Sequence, residues 1–286
     1  MSDTFTYDGT SKILATDQGK LHYHEAGSGP ALILLHGSGP GVTGWANFQG
    51  NLPIFAKHFR CLILDMPGYG GSDPVEGHPI TTLADAVIRF MDALKIDKAH
   101  IIGNSLGGIV GSYPAANHPE RVGKLVTIGG VGTNIFSSFP GEGINRLVEF
   151  TENPTREFLV AWLRSMVFDP AMVTEELIEE RFKRATTPEM LATSRKLYSR
   201  AAIQAMGEMF RSGGALGSVG HLPKIQAPTL ITWGRDDRVS PIDMALLPMR
   251  MIPRCELHTF YNCGHWVMIE RKAEFENVVL AFLQRP

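Results

Sequence analysis

Three stretches far apart in the chain, GNSLGG at 103–108, GRDDRVSP at 234–241 and NCGHW at 262–266, place a serine, two aspartates and a histidine among glycines. A serine hydroxyl attacks a carbonyl effectively only when a base takes its proton, and the base needs a third group to orient it. Gly103-Asn104-Ser105-Leu106-Gly107 has the G-x-S-x-G spacing of a nucleophile elbow. Such a sharp strand-to-helix turn strains the serine backbone and leaves no room for bulk two positions to either side. The apolar KAHII precedes it and IVGSYPAANH follows, so the hydroxyl is expected at a helix N-terminus, where backbone N–H groups favour developing negative charge. Taken alone, the five residues equally describe an ordinary strand-helix turn.

Among ten histidines, His265 follows the last expected strand within a glycine turn, as a loop-borne base should. His22, His24, His58, His78, His100, His118, His221 and His258 fall in strands, helix ends or surface-like segments, where solvation or local hydrogen bonding accounts for them. Asp236 and Asp237 follow the apolar TLITW and are the candidate orienting acids. A fourth stretch, LLHGSGPG at 34–41, has glycines that let backbone amides approach an oxyanion. The amides of Ser38 and Leu106 are the expected oxyanion hole, with His36 holding the loop.

The elements that must position these residues follow from periodicity. Lys12 to Thr16 and Lys20 to Glu25 alternate around the turn DQGK and predict a hairpin. Ala31 to His36, Arg60 to Asp65, Ala99 to Asn104, Lys124 to Gly129, Thr229 to Gly234 and Glu256 to Tyr261 are short, mostly apolar runs, as in strands buried on both faces. Helical patterns lie between them, including Thr81 to Leu94, the stretch after Ser105, and Ala273 to Leu283. The alternation predicts an α/β fold with helices on both faces of a mostly parallel sheet. Between Gly129 and Thr229 the pieces EGINRLVEF, TREFLVAWLRSMV, TEELIEERFKRA and PEMLATSRKLYSRAA predict a helical lid over the strand ends, where open α/β sheets bind ligands. The expected organisation is a core at 1–132 and 223–286 with a lid at 133–222.

The chain has 286 residues, 44% hydrophobic and 20% charged, which suits a globular protein with a large core. With 27 basic and 29 acidic residues the formal charge is −2, and no basic block offers a footprint for nucleic acid or an anionic membrane. No apolar run reaches bilayer length and MSDTFTYDGT lacks signal-peptide character, so a cytoplasmic location is expected. Cys61, Cys255 and Cys263 are odd in number without C-x-x-C spacing and read as reduced thiols.

HGSGPGVTGWANF (36–48), LDMPGYGGSD (64–73), GNSLGG, PAMVTEELIEERF (170–182), WGRDDRVSP (233–241) and CGHWVMIE (263–270) together resemble the meta-cleavage product hydrolases. These are serine C–C hydrolases of aromatic-ring degradation within the α/β-hydrolase superfamily. The resemblance covers most of the chain and implies the α/β-hydrolase fold, a parallel central sheet flanked by helices with a helical lid. Gly234, Asp237 and Pro241 match the acid loop of that fold, which selects Asp237 and gives its order of nucleophile, acid and histidine: Ser105, Asp237, His265. Ser38 departs from the glycine of many relatives. The backbone donor survives that change, though the shape of the hole can alter.

The resemblance further implies 2-hydroxy-6-oxohexa-2,4-dienoate substrates. Arg181 matches the family's carboxylate-binding arginine; without that match, an ion pair with Glu176, Glu179 or Glu180 would account for it. Asn47 and Asn104 resemble dienoate-lining residues or else tie down turn backbone, and Trp266 stacks on the conjugated chain or packs beside His265. The implied reaction needs no metal or organic cofactor. The implied partners are a small-molecule dienoate and further copies of the chain in a homo-oligomer, a dimer or larger. Ile135, Phe136, Phe139, Leu147, Trp162, Met166 and Phe168 are candidates either for an aryl pocket or for the lid core. A serine esterase or lactonase is the alternative activity, and it needs no Arg181.

Overall fold

The computed structural model describes residues 5–214 and 219–286. Runs such as ALILL and RCLIL have no polar face and are stable only when covered on both sides. They form the middle of a sheet built from β1 (Ser11–Thr16), β2 (Gly19–Ala26), β3 (Ala31–Leu35), β4 (Arg60–Leu64), β5 (Ala99–Asn104), β6 (Val122–Ile128), β7 (Thr229–Gly234) and β8 (Cys255–Phe260). The spatial order is β1-β2-β4-β3-β5-β6-β7-β8. The β1–β2 hairpin pairs antiparallel to β4, and every later pairing is parallel. Along β3, Leu32 and Leu34 enter one core layer with Phe48, Phe55 and Phe275, while Ile33 and Leu35 enter the other with Val87, Phe90 and Val110. That alternation is the two-residue period of a strand covered on both faces.

The covering helices are α1 (Pro79–Ala93), α2 (Leu106–Asn117) and, at the end of the chain, α8 (Lys272–Leu283). Helix α2 packs so closely that a Cβ on Gly111 would lie 2.9 Å from Ile101 Cγ2. Between β6 and β7 the chain forms α3 (Glu142–Glu152), α4 (Arg156–Met166), α5 (Glu175–Ala185), α6 (Pro188–Tyr198) and α7 (Arg200–Met209). The hydroxyls of Thr155, Thr174, Thr187 and Ser199 each accept a first-turn amide at the start of α4, α5, α6 and α7. Each such cap is worth about 1 kcal/mol. PEMLATSRKLYSRAA, one helical piece by periodicity, is two helices: Ser199 is extended (φ −65°, ψ 155°), ends α6 and caps α7. A serine hydroxyl competes locally for backbone donors, which apolar periodicity does not register.

Candidate active site

Strands β3, β5, β6, β7 and β8 run parallel, so the loops leaving their carboxyl ends converge on one edge of the sheet. At the end of β5, Ser105 sits at φ 51°, ψ −115°, a conformation that costs a side-chain-bearing residue roughly 1–3 kcal/mol. Close packing enforces it. A Cβ on Gly103 would lie 2.3 Å from Gly107 O, and one on Gly107 would lie 2.2 Å from Leu35 O. Across the turn, Gly130 (φ 81°) approaches so nearly that its Cβ would be 2.5 Å from Ser105 O. The Ser105 amide donates to Ile128 O at 2.8 Å, which ties the turn to β6.

His265 and Asp237 are both buried, with Nδ1 2.7 Å from Asp237 Oδ2. The other carboxylate oxygen accepts the amides of Val239 and Ser240 at 2.8 and 2.9 Å, which fixes its orientation. With Nδ1 donating to a carboxylate, His265 Nε2 is the lone-pair nitrogen that can take a proton. Ser105 and His265 line the same cavity without a direct hydrogen bond between them. In α/β sites that contact commonly tightens when substrate binds. Asp236 has a different setting: it pairs with the exposed Arg235 and accepts the Cys263 amide at 3.3 Å.

The His265 loop has a clamp that sequence reading did not find. Glu270 accepts the amides of Gly264 at 3.0 Å and Trp266 at 3.2 Å, on either side of His265, and that of Phe168 at 2.7 Å. Burial pushes its carboxyl above the usual range despite these amides. The His265 amide itself donates to Met166 O at 2.7 Å. CGHWVMIE contains Glu270, but nothing in its spacing marks a three-amide acceptor.

In the loop after β3, the Gly37 amide donates to Asn47 Oδ1 at 3.0 Å, and Asn104 Nδ2 donates to the same oxygen at 3.1 Å. His36 Nδ1 lies 2.5 Å from Gly37 O while Nε2 accepts the Met66 amide at 3.0 Å, so both nitrogens are committed to backbone. Burial holds the His36 pKa below its ordinary value. The amides of Ser38 and Leu106 make no backbone hydrogen bond among the described residues, and both residues line the cavity. Ser38 Oγ is hydrogen-bonded to the hydroxyl of Tyr198, from the end of α6, which burial keeps protonated. That contact spans 160 positions in sequence and was not foreseen.

The cavity has a volume of about 200 Å³ and is lined by Ser105, His265, Ser38, Leu106, Asn47, Asn104, Arg181 and Trp266 together with apolar side chains. Arg181 is 3% exposed. Its guanidinium donates to Pro40 O at 3.2 Å and lies 5.5 Å from the Trp266 ring centroid, while Nε has no partner. Of the glutamates that could neutralise it, Glu179 pairs with Arg156 and Glu180 with Arg184, and Glu176 makes no ion pair with Arg181. Burial lowers its pKa to about 10, so it remains a cation at neutral pH. Of the apolar candidates, Phe139, Leu147, Trp162 and Met166 line the cavity. Ile135, Phe136 and Phe168 do not; they are exposed. The amides of Ile135, Phe136 and Ser137 all donate to Asp243, and that turn leaves Phe136 83% exposed.

Residues 30–272 match the family model of the alpha/beta hydrolase fold. A 2-hydroxy-6-oxononadienedioate/2-hydroxy-6-oxononatrienedioate hydrolase of Burkholderia vietnamiensis is 39% identical over the whole of both chains. A 2-hydroxy-6-oxo-6-phenylhexa-2,4-dienoate hydrolase of Burkholderia cepacia is 37% identical over 92% of this chain and 91% of its own. The solved meta-cleavage product hydrolase CumD of Pseudomonas fluorescens, in a serine-to-alanine form complexed with acetates, superposes with a TM-score of 0.85. It is 31% identical, covering 96% of this chain and 97% of its own. The chain belongs to the meta-cleavage product hydrolases of the α/β-hydrolase family. Among the described residues Arg181 is the one buried arginine, and it lines the same cavity as the serine at the elbow.

Proposed function

We propose that the protein hydrolyses the C5–C6 bond of 2-hydroxy-6-oxohexa-2,4-dienoates, giving 2-hydroxypenta-2,4-dienoate and a carboxylic acid. The observation that carries this reading is Arg181. A desolvated guanidinium without a carboxylate partner is costly, and it suits a site whose ligand brings a carboxylate. An ordinary esterase would gain nothing from it.

Breaking a carbon–carbon bond requires a tolerable carbanion, so the dienol first transfers its proton to C5 to give the 2,6-diketo tautomer. Ser105 Oγ then attacks C6 as His265 Nε2 takes its proton, with Asp237 stabilising the imidazolium. The amides of Ser38 and Leu106 receive the C6 oxyanion. On collapse the C5–C6 electron pair moves to C5 and delocalises towards the 2-keto carboxylate anchored at Arg181; reprotonation completes the dienoate product. Water, deprotonated by His265, attacks the acyl group on Ser105 and releases the acid. Helices α3 to α7 act as the lid that excludes bulk water.

No helix among the described residues is long and apolar enough to cross a membrane. A cytoplasmic homo-oligomer is the form we propose for the enzyme, to be checked by fractionation and light scattering. The activity is tested with a yellow 2-hydroxy-6-oxodienoate, whose colour bleaches when the bond is cut. Wild type bleaches it, while Ser105→Ala retains binding with turnover reduced by at least about 10³-fold. A Ser105→Ala protein that turns substrate over at the wild-type rate contradicts the proposed nucleophile.

A further inference from the structure

The ends of the cavity differ in chemistry. Arg181 has Pro40, Gly41 and Trp266 as neighbours, and Asn47 and Asn104 lie on the same loop framework. The apolar wall includes Phe139, Ile144, Ile203, Met206, Val239 and Met244. These pack among themselves and their supports: Phe139 lies against Phe210 and Gly207, Val239 against Gly143, Met244 against Gly132. Polar residues line the cavity too, among them Ser240 and Asn134, whose amide nitrogen already donates to Ser137 Oγ and Ser138 O. Among the described residues lining the cavity there is no lysine, and no arginine besides Arg181.

We infer that the group carried on C6 is a neutral hydrocarbon, alkyl or phenyl, and that the enzyme discriminates against a substrate with a second carboxylate there. The inference rests on the C–C hydrolase reading and names the substrate class within it. Identity alone points both ways, since similar relatives are named for a dienedioate and for a phenyl dienoate. The wall decides. Arg181 can hold one carboxylate, and a second would enter a mainly apolar surface with no second cation among the described lining residues to replace its hydration. A phenyl or alkyl group gains from the same burial, and the unbranched Met206 and Met244 can adapt to either shape.

The test compares kcat/KM for the methyl, phenyl and succinyl substrates, the last being 2-hydroxy-6-oxononadienedioate. The better of the two hydrocarbon substrates is expected to exceed the dioate by at least ~100-fold, the discrimination set by an unpartnered buried carboxylate. A second arm uses Met206→Lys, at a half-buried position where a lysine stem can keep its head towards water. It should raise dioate turnover about tenfold and lower phenyl turnover, with Tm near wild type. A dioate handled as well as the hydrocarbon substrates overturns the inference and leaves the C–C hydrolase reading standing. Bleaching of none of the three overturns both. A folded Met206→Lys protein with an unchanged ratio refutes the placement of the C6 group against this wall.

Discussion

Replacing Arg181 with methionine tests whether this residue serves the substrate, as proposed, or the fold. Burial lowers the arginine pKa from 12.5 to about 10, so keeping the cation in place costs the folded protein about 3 kcal/mol. Against this stand one charged hydrogen bond to Pro40 O, worth about 1.5–3 kcal/mol, and a cation–π contact with Trp266 of about 0.5–2 kcal/mol. The terms nearly cancel, and methionine keeps most of the stem's packing. Arg181→Met should therefore unfold within about 1.5 kcal/mol of wild type, where truncating a large buried side chain ordinarily costs about 2–5 kcal/mol. Its effect on the dienoate should be large. Losing one partner of a buried charge pair costs about 2–5 kcal/mol, a fall in kcat/KM of roughly 30-fold to several thousand-fold. Turnover of p-nitrophenyl acetate, which has no carboxylate to anchor, should stay within about threefold. Urea denaturation, dienoate bleaching and ester release on one preparation supply all three readings. A variant destabilised by more than about 3 kcal/mol that keeps dienoate kcat/KM within fivefold would show Arg181 to be structural and refute the reasoning.

Glu270→Gln weakens a charge-assisted acceptor for the amides around His265; we expect kcat to fall about tenfold with KM little changed and about 1–3 kcal/mol lost in urea titrations, and full activity would remove Glu270 from the positioning of His265. Gly130→Ala would push a Cβ against Ser105 O from a residue at φ 81°, so loss of soluble protein or more than about 2 kcal/mol of stability is expected, and near wild-type behaviour would deny the close approach. Stability should also fall on mild acidification. Burial, together with His22 for His24 and Lys224 for His221, holds these two histidines down to about 4. Between there and the unfolded value near 6.5 the unfolded chain binds more protons, so stability is present above about pH 6.5 and is lost as pH falls towards 4. A urea midpoint that stays flat from pH 7 to 4.5 would contradict that sign.

What the sequence revealed and what it hid divide by the range of the forces involved. The elbow was legible because its cause is steric and local: Gly103 and Gly107 are glycines since any Cβ would strike the neighbouring backbone. The strands were legible because ALILL has no polar side to show to water, and their ends differ from the expected ones by one or two residues, as where β6 starts at Val122 and ends at Ile128 before Gly129 (φ 59°). Contacts decided by tertiary packing were hidden. Tyr198 meets Ser38 only because Ser199 breaks a helical pattern that apolar spacing runs together. His22, which reads as an ordinary strand histidine, is 2.7 Å from Asp65 in the buried interior, and the amides of Gly44 and Gly71, from two separate segments, donate to the same carboxylate. Burial raises the Asp65 carboxyl, but His22, His36 and those two amides outweigh it and hold the pKa below the ordinary value.

Some of the costs retained by the fold lie in the cavity, where a ligand can offset them. Among the described residues nine buried side-chain polar atoms lack a protein partner, and Asn104 Oδ1, Trp162 Nε1 and Arg181 Nε, all from cavity-lining residues, are three of them. Each such group costs roughly 1–3 kcal/mol, and the backbone strain at Ser105 adds a similar amount. Two of the three are donors and one is an acceptor. A carboxylate, which only accepts, and an enol hydroxyl, which can donate, are complementary to that set in a way that a neutral ester is not. Binding of a 2-hydroxy carboxylate is therefore expected to add stability, so the wild-type Tm should rise with the concentration of the 2-hydroxypentadienoate product while that of Arg181→Met should not.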